Sequence, residues 1–272
     1  MSLSILNNIS ALQAENQLTI TTAAANKSLQ ELSSGSRINS GSDDAAGLAI
    51  SDGLNANVAA LNQSSLNSTN AIGSLQTADG ALSQVTALLN RSVTLATEAS
   101  NTGLSTAQST AINNEFQSLL TEIGNIGSTT NFNGTAVFGS TVSAFTSDGT
   151  TSGHISIGGT VASLTSTSLG LSSASLTTAS SAQSALTLIS AAISTVSAQR
   201  GTLGATVEQL QAASTVDTDE SENLVSASSN ITSADISAVV ADDTKYSILQ
   251  QTGISALQQA NQQAQTVLKL LQ

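Results

Sequence analysis

Residues 72–96 read IGSLQTADGALSQVTALLNRSVTLA. Side chains spaced this way form one apolar stripe along a helix, which leaves water by packing against another helix. The stretch therefore predicts a long helix from about residue 43 to residue 100, which the Asn101-Thr102-Gly103 signal ends. The apolar residues of the stripe recur three, four or seven positions apart: Ile72, Leu75, Leu82, Val85, Leu89, Val93 and Ala96.

The two ends of this helix carry capping signals. At its start, Ser42 is the expected N-cap, and Asp43 and Asp44 lie in the first turn, where the helix dipole favours negative charge. After its end, Ser105 and Gln108 form a capping-box pattern that predicts the start of another helix. The apolar residues of that next helix alternate four and three apart, as in a coiled-coil seam: Ile112, Phe116, Leu119, Ile123 and Ile126.

The composition favours helix-on-helix packing and excludes several classes of protein. None of the 272 residues is Pro, which breaks helix interiors, and only 2% are aromatic, which argues against a large globular core. With no Cys and one His, the chain cannot form a disulfide, a thiolate metal site or a multi-histidine site. The net charge of −12 disfavours nucleic acid as a partner.

Neither a membrane span nor an ordinary signal peptide is expected. No apolar run reaches the length that crosses a bilayer. The N-terminal residues lack the basic stretch and the long apolar block of a signal peptide, so export would need another route.

Both ends of the chain are predicted to be helical. The final helix is expected over about 234–271, and a break or softer stretch is expected in the acidic segment 214–222. The N-terminal helix, which Ser33-Ser34-Gly35-Ser36 ends, has apolar residues three and four apart at Ile5, Ile9, Leu12, Leu29 and Leu32. The final helix keeps this spacing, with Asn261 as a polar insert, at Ile254, Leu257, Asn261, Ala264, Leu268 and Leu271.

The middle of the chain differs from its ends. From about 128 to 180, Gly, Ser and Thr dominate, and short apolar runs alternate with polar residues, which predicts a small region of β-hairpins. Since the chain must go out and come back, the two helical ends are expected to pack antiparallel. The predicted fold class is mainly α: a long antiparallel coiled-coil rod with a small β-hairpin-containing central insert.

One segment of the chain resembles a known family. Residues 32–51, LSSGSRINSGSDDAAGLAIS, closely resemble the N-terminal signature of bacterial flagellins. The resemblance covers nearly everything outside the middle. It extends to residues 76–82 and 131–134 and, towards the C-terminus, to 200–205, 223–224, 260–262 and 267–271.

The resemblance implies a structural subunit, without enzymatic activity or cofactor, that polymerises into the extracellular filament of the bacterial flagellum. Hook–filament junction proteins share the terminal helices and are the alternative. The resemblance assigns segments 1–34 and 238–272 to an inner coiled-coil tube, 43–135 and 180–230 to a surrounding helical domain, and 136–179 to a short exposed region.

The resemblance also implies partners. These are identical or sister flagellin subunits, the filament cap, hook-junction proteins, an export chaperone and the flagellar type III export apparatus, with no membrane insertion. Arg37, Asp43 and Asp44 form either an interaction node between subunits or a solvated capping cluster. The residues assigned to subunit packing are Ile5, Ile9, Leu12, Leu29, Leu32, Arg37, Asp43, Asp44, Ile254, Leu257, Asn261, Leu268 and Leu271.

A second surface is a candidate for recognition by an animal receptor. Arg91, Leu95 and Glu115 fall on positions that resemble the flagellin surface read by Toll-like receptor 5. The neighbouring residues 92–94 depart from the charged pattern of strongly stimulating flagellins, so recognition, evasion and a purely structural role all stay open.

No catalytic centre is expected. His154 lies in a predicted β segment near Asp148, but a hydrolase also needs a nucleophile held by the base, and no GxSxG motif is present. The His-Glu-x-x-His motif of zinc proteases is missing too. Asp43 and Asp44 are a weak metal pair because the sequence implies no further ligands.

Overall fold

The structure is a computed structural model that describes residues 8–150 and 152–270 and, over 267–270, the backbone alone. Its helices are α1 (Ile9–Ser34), α2 (Ala45–Ala99), α3 (Thr106–Thr129), α4 (Ala179–Thr232) and α5 (Ile236–Leu270). Its strands are β1 (Asn131–Phe132), β2 (Thr135–Ala136), β3 (Ser140–Ser147) and β4 (His154–Val161). The predicted fold class, mainly helical with small hairpins in the middle, is confirmed.

The chain divides into two compact units. Unit 1 comprises the chain up to Asn55 and from Leu224 onward, and unit 2 is Ala56–Asn223. Unit 1 therefore contains α1, α5 and the adjoining ends of α2 and α4. Unit 2 contains the remainder of α2 and α4 with α3 and all four strands.

In unit 1, α1 and α5 run antiparallel along each other. The Asn8 side chain donates from Nδ2 to the carbonyl of Ala260 at 3.1 Å. Further along the pair, a Cβ on Gly253 would lie 3.3 Å from the side chain of Leu18. The contacts ascend along one helix as they descend along the other, which confirms the predicted antiparallel pairing of the chain ends.

Unit 2 is a helical bundle with an apolar centre. Phe116 of α3 is fully buried, and the segment that follows β4 adds buried Leu171 and Leu176. The long stripe read from residues 72–96 faces this centre. The fully buried core side chains from the three helices include Leu75, Val85, Leu89, Ile123, Ile189 and Leu203.

Polar contacts join α2 to α4 within unit 2. The Arg200 guanidinium donates from Nε and Nη2 to the two carboxylate oxygens of Asp79 at 2.7 and 3.1 Å. The hydroxyls of Ser65 and Ser214 lie 2.8 Å apart. The bidentate Arg200–Asp79 pair fixes the register of α2 against α4, because both guanidinium donors must meet both carboxylate oxygens.

Two predictions about helix boundaries are wrong. The expected break in 214–222 is absent, since α4 continues through it. The seven- and four-residue spacing of buried side chains persists there at Leu210, Asp217 and Ser221, although two of the three are polar. The expected N-cap of α2, Ser42, is replaced by Asp44, whose Oδ1 accepts the backbone N–H of Gly47 at 2.9 Å.

Other signals behave as expected. Ser105 and Gln108 form both hydrogen bonds of a capping box at the start of α3. In the middle of the chain, β1 and β2 pair across the two-residue turn Asn133-Gly134, whose φ angles of 50° and 77° lie in the left-handed region that such turns require. β3 and β4 form a longer antiparallel hairpin.

The longer hairpin is held on α2. The Ser64 hydroxyl lies 2.7 Å from the backbone nitrogen of Ser147 and 2.9 Å from its carbonyl oxygen. The Asn67 side chain donates to the carbonyl of Phe145 at 3.0 Å. These contacts satisfy backbone groups on the edge of β3 that would otherwise stay unpaired.

Candidate functional site

The connector between α1 and α2, residues 35–44, packs on the joint between α4 and α5 in unit 1. Gly35 ends α1 with φ 69°, and its carbonyl accepts the Ala234 N–H at 3.1 Å. One residue on, Ser36 forms a β-bridge with Ser233. The α1–α2 connector and the α4–α5 joint are therefore hydrogen-bonded to each other.

Arg37 secures this connector to the end of α4. Its backbone N–H donates to the carbonyl of Thr232 at 2.7 Å, and its Nη2 donates to the carbonyl of Ile231 at 2.9 Å. A cation at this position satisfies carbonyls that the helix end leaves without partners, and it complements the negative end of the helix dipole.

The structure does not bring Arg37 together with the two acidic residues. Among the ion pairs of the described residues, none joins Arg37 to Asp43 or Asp44. The partner of Asp43 is Lys27, whose Nζ lies 2.9 Å from Oδ1. The sequence reasoning missed Lys27. Its position two turns before the end of α1, next to the connector, could have indicated it as a partner of the acidic residues.

Asp43 also organises the backbone of the connector. Its Oδ2 accepts the N–H groups of Asn39 at 3.2 Å and Ser40 at 3.0 Å, and the Ser40 hydroxyl at 3.0 Å. The pKa of the Asp43 carboxyl is lowered to about 2. The largest cause is the hydrogen bond from Lys27, followed by the hydrogen bonds from Ser40 and Asn39. Asp43 is therefore ionised throughout the physiological pH range.

Asp44 and Gly47 form the start of α2. A Cβ on buried Gly47 would lie 2.5 Å from Asp44 Oδ2 and 2.8 Å from Ile38 Cδ1. Glycine is thus required for the cap and the apolar side chain of Ile38 to close over the first turn. Within one chain, Arg37, Asp43 and Asp44 therefore have separate contacts, and a role for them between subunits stays a prediction.

Small side chains predominate on the α1 side of the contact between α1 and α5, whereas the α5 side also includes Val239, Tyr246 and Leu257. On α1, the partly or fully buried positions follow three-and-four spacing at Ala11, Ala14, Leu18, Thr21, Ala25 and Ser28. On α5, they do the same at Val239, Asp243, Tyr246, Gln250, Gly253, Leu257 and Ala260. We call these two rows the small-residue seam.

The apolar residues that the sequence assigned to subunit packing mostly lie outside this seam. Leu257 is half-buried within it, whereas Asn261 is exposed. Ile5 and Leu271 lie outside the described residues, and Leu268 is described by its backbone alone. The exposed fractions are 59% for Ile9, 58% for Leu12, 51% for Leu29, 36% for Leu32 and 43% for Ile254.

Further exposed aliphatic residues were missed by the sequence reasoning. Ile20 on α1 is 63% exposed, and α5 adds four more. The available signal was the number of Ile, Leu and Val residues in these helices, which exceeds what one narrow stripe holds. We use the name exposed aliphatic face for the following exposed residues, which lie on more than one side of the two helices: Ile9, Leu12, Ile20, Leu29, Leu32, Ile236, Val240, Ile248, Leu249 and Ile254.

The candidate receptor surface is only partly exposed. Arg91 donates from Nε and Nη2 to Glu115 Oε1 at 2.9 and 2.7 Å, and both side chains are about half exposed. Leu95 is 1% exposed and belongs to the core of unit 2, so the expectation that it lies on this surface is wrong. Its apolar side chain completes the stripe of α2.

His154 has a structural contact. Its ring stacks on Phe145 across the β3–β4 hairpin, with the ring centroids 5.8 Å apart. Among residues 8–150 and 152–270, no three His, Cys, Asp or Glu side chains are grouped as a metal would require. Within the same residues, no helix combines the length and the apolar character needed to cross a membrane.

Two family models match most of this chain. The model of the bacterial flagellin N-terminal helical region matches residues 5–143, and that of the bacterial flagellin C-terminal helical region matches residues 186–271. Matched helical regions on both sides of a hairpin-containing middle define a structural protein of the bacterial flagellum.

Full-length relatives agree with these matches. A flagellin of Halalkalibacterium halodurans is 37% identical over 98% of this chain and 99% of its own length. A flagellin of Bacillus subtilis is 32% identical, and a flagellar filament 33 kDa core protein of Treponema phagedenis is 31% identical, each over 98% of this chain and 99% of the relative. The chain belongs to the bacterial flagellin family.

A solved structure is also similar. The crystal structure of Bacillus cereus flagellin matches 56% of this chain and 88% of its own, with a TM-score of 0.49 and 25% identity. As a family member, the chain is a structural subunit of the helical, extracellular flagellar filament. Nothing in these comparisons favours the hook–filament junction protein.

Proposed function

We propose that the exposed aliphatic face of unit 1 is the surface by which this flagellin subunit polymerises with further copies of itself. The observation that carries the proposal is the exposure of ten Ile, Leu and Val side chains on the two terminal helices. Fully burying one such side chain contributes roughly 1.5–3 kcal/mol, so a face of this size favours association.

The small-residue seam supports this use of the outer face. Because Ala, Ser and Thr occupy five of the six α1 positions of this seam, most of the larger aliphatic residues of α1 are available to contact other molecules. A subunit whose donor and acceptor surfaces differ makes a contact that does not close on itself, and repetition of that contact produces a helical polymer.

The finer partners rest on the family. We infer that the chain meets the filament cap, hook-junction proteins, an export chaperone and the flagellar type III export apparatus. The Arg91–Glu115 pair is the part of the candidate Toll-like receptor 5 surface that solvent reaches in unit 2. The inner-tube segments 1–34 and 238–272, the helical domain and the exposed segment 136–179 remain the proposed division of the filament subunit.

Replacement of Leu29 tests the proposed polymerisation surface. Leu29→Gln places a polar amide where 51% of the side chain is exposed in the single chain. We expect the critical concentration for seeded polymerisation to rise roughly tenfold or more, because a side chain worth about 1.5–3 kcal/mol on burial is lost from each contact. Sedimentation of polymer after seeding measures this concentration.

The matched control is Gln30→Ser, an exposed polar residue next to Leu29 on α1. It should polymerise like the parent chain, and both variants should keep the parent's helical circular dichroism. If Leu29→Gln polymerises at the parent's critical concentration, the face is not the polymerisation surface. Antibody labelling of native filaments along their whole length supports a filament subunit, and label at the base alone supports the junction protein.

A further inference from the structure

Asp217 occupies an unusual position in unit 2. It lies on α4 among the residues expected to form a soft acidic segment, yet only 9% of the residue is exposed. Its Oδ2 is buried and has no hydrogen-bond partner among the described residues. A carboxylate oxygen in this condition has lost water without gaining a replacement, which is costly when the group is charged.

Two hydrogen bonds between α4 and α2 flank Asp217. Three residues before it, Ser214 pairs with Ser65 of α2 at 2.8 Å. Four residues after it, the Ser221 hydroxyl donates to Asn62 Oδ1 at 3.3 Å. Asp217 therefore sits between two hydrogen bonds that hold α4 to α2, and we call this stretch the polar seam.

Among the described residues, no ion pair joins Asp217 to a basic side chain. On α2, residues 57–68 contain no ionisable side chain. On α4, the acidic side chain that acts on it is Glu220, which disfavours a second negative charge. Of the ionisable groups on the β3–β4 hairpin, Asp148 accepts hydrogen bonds from Thr150 and His154 stacks on Phe145.

We propose that Asp217 makes the polar seam of unit 2 sensitive to pH, so that the seam is tighter with the carboxyl protonated and looser with it ionised. A protonated carboxyl removes the buried charge and gains an O–H that can donate to a neighbouring oxygen. The proposal rests on the packing of unit 2 alone and does not depend on the proposed polymerisation surface.

The direction of the pH dependence follows from the same groups. Burial, and then Glu220, raises the pKa of the Asp217 carboxyl. A carboxyl whose pKa is higher in the folded chain does not change stability below its unfolded pKa. Between the unfolded and the folded pKa the stability falls as pH rises, and above the folded pKa the loss is complete. The destabilisation by Asp217 is therefore complete above the pKa of the folded chain and absent in acid below the pKa of the unfolded chain.

The test compares Asp217→Asn with the parent chain and with Asp219→Asn. The amide has the shape of the carboxyl but never ionises, and Asp219 is an exposed carboxyl two residues away on the same helix. Thermal unfolding is followed by circular dichroism from pH 3 to pH 8. Hydrogen exchange read by mass spectrometry over residues 57–68 and 210–222 locates the change.

We expect Asp217→Asn to melt at a higher temperature than the parent at pH 8, by a margin that shrinks as pH falls into the ordinary carboxyl range. Exchange in the two segments should slow at pH 8, and Asp219→Asn should change neither measurement. The proposal is overturned if Asp217→Asn is no more stable than the parent at pH 8, if its margin is the same at every pH, or if Asp219→Asn behaves identically.

Discussion

Asp43 and Asp44 are neighbours in sequence with different tasks. Asp43 accepts hydrogen bonds from Lys27, Asn39 and Ser40, and it folds the connector onto α1. Asp44 caps α2 through the N–H of Gly47. These two neighbouring carboxylates therefore hold different parts of unit 1 in place.

The N-cap of α2 is tested by two alanine variants. Asp44→Ala removes the acceptor for the Gly47 N–H, and we expect it to destabilise unit 1 by about 0.5–2 kcal/mol. Ser42→Ala, at the position that the sequence predicts as the cap, should leave stability nearly unchanged. Urea unfolding measures both, and equal losses in the two variants contradict the assignment of the cap to Asp44.

The ionisation of Asp43 has a predictable pH dependence. Because its pKa in the folded chain is lowered to about 2, its stabilising contribution is complete above the ordinary carboxyl pKa and is lost as pH falls towards 2. Lys27→Gln removes the largest cause of the lowered pKa of Asp43, so we expect the titration midpoint of the Asp43 carboxyl to rise. The amide proton shift of Ser40, measured by NMR, follows this titration.

The control for this titration is Lys245→Gln, since Lys245 pairs with Asp242 on α5 rather than with the connector. It should leave the midpoint of Asp43 unchanged. A midpoint that is the same with and without Lys27 shows that the backbone N–H groups, and not the ammonium, hold the carboxyl in its ionised form.

At the scale of the elements, α1 and α5 show that the largest apolar residues of a helix need not face its nearest partner. Ala14, Ala25 and Gly253 lie on the inward rows. Small side chains allow two helix axes to approach closely, since interaxial distance depends on the side chains at the contact. Ile20 and Leu29 remain outside, available to other molecules.

Enlarging a residue of the small-residue seam tests this packing. Ala25 is 6% exposed, and Ala25→Leu adds three carbon atoms to a contact without room for them. We expect a loss of about 1–3 kcal/mol in the stability of unit 1. Ala23→Leu, on the exposed side of the same helix, is the matched control. Similar unfolding curves for the two variants would contradict the inward assignment of Ala25.

At the scale of the whole molecule, the two units rely on different kinds of packing. Unit 2 has a fully buried apolar centre that includes Phe116, Leu89 and Ile189. Unit 1 has the small-residue seam and the hydrogen-bonded connector, and it leaves most of its large aliphatic residues exposed. The stability of an isolated subunit should therefore reside mainly in unit 2.

Truncation of Phe116 tests this difference. Phe116→Ala removes a fully buried ring from the centre of unit 2, and we expect a loss of about 3–5 kcal/mol. Hydrogen exchange should quicken across α3 and the facing parts of α2 and α4, with little change in α1. Equal acceleration in α1 and α3 would show that the two units unfold as one.

The amino-acid sequence by itself determined where the helices and hairpins lie. Its heptad spacing located the buried stripe of α2, and Ser105 and Gln108 located the start of α3, because both signals depend on neighbours within one element. The segment 32–51 also identified the family. The prediction for the acidic segment 214–222 was wrong because it relied on polar composition. The buried residues Asp217 and Ser221 continue the helical spacing of α4 although they are polar.

Only the tertiary structure decided which faces meet. The sequence assigned Ile9 and Leu12 to subunit packing, and the structure leaves both exposed while smaller residues such as Ala14 and Ala25 face α5. The tertiary structure also decided that Asp43 pairs with Lys27 and that Arg37 binds the end of α4. Those partners lie on other elements, and distance between elements is a property of the fold that spacing along one helix does not contain.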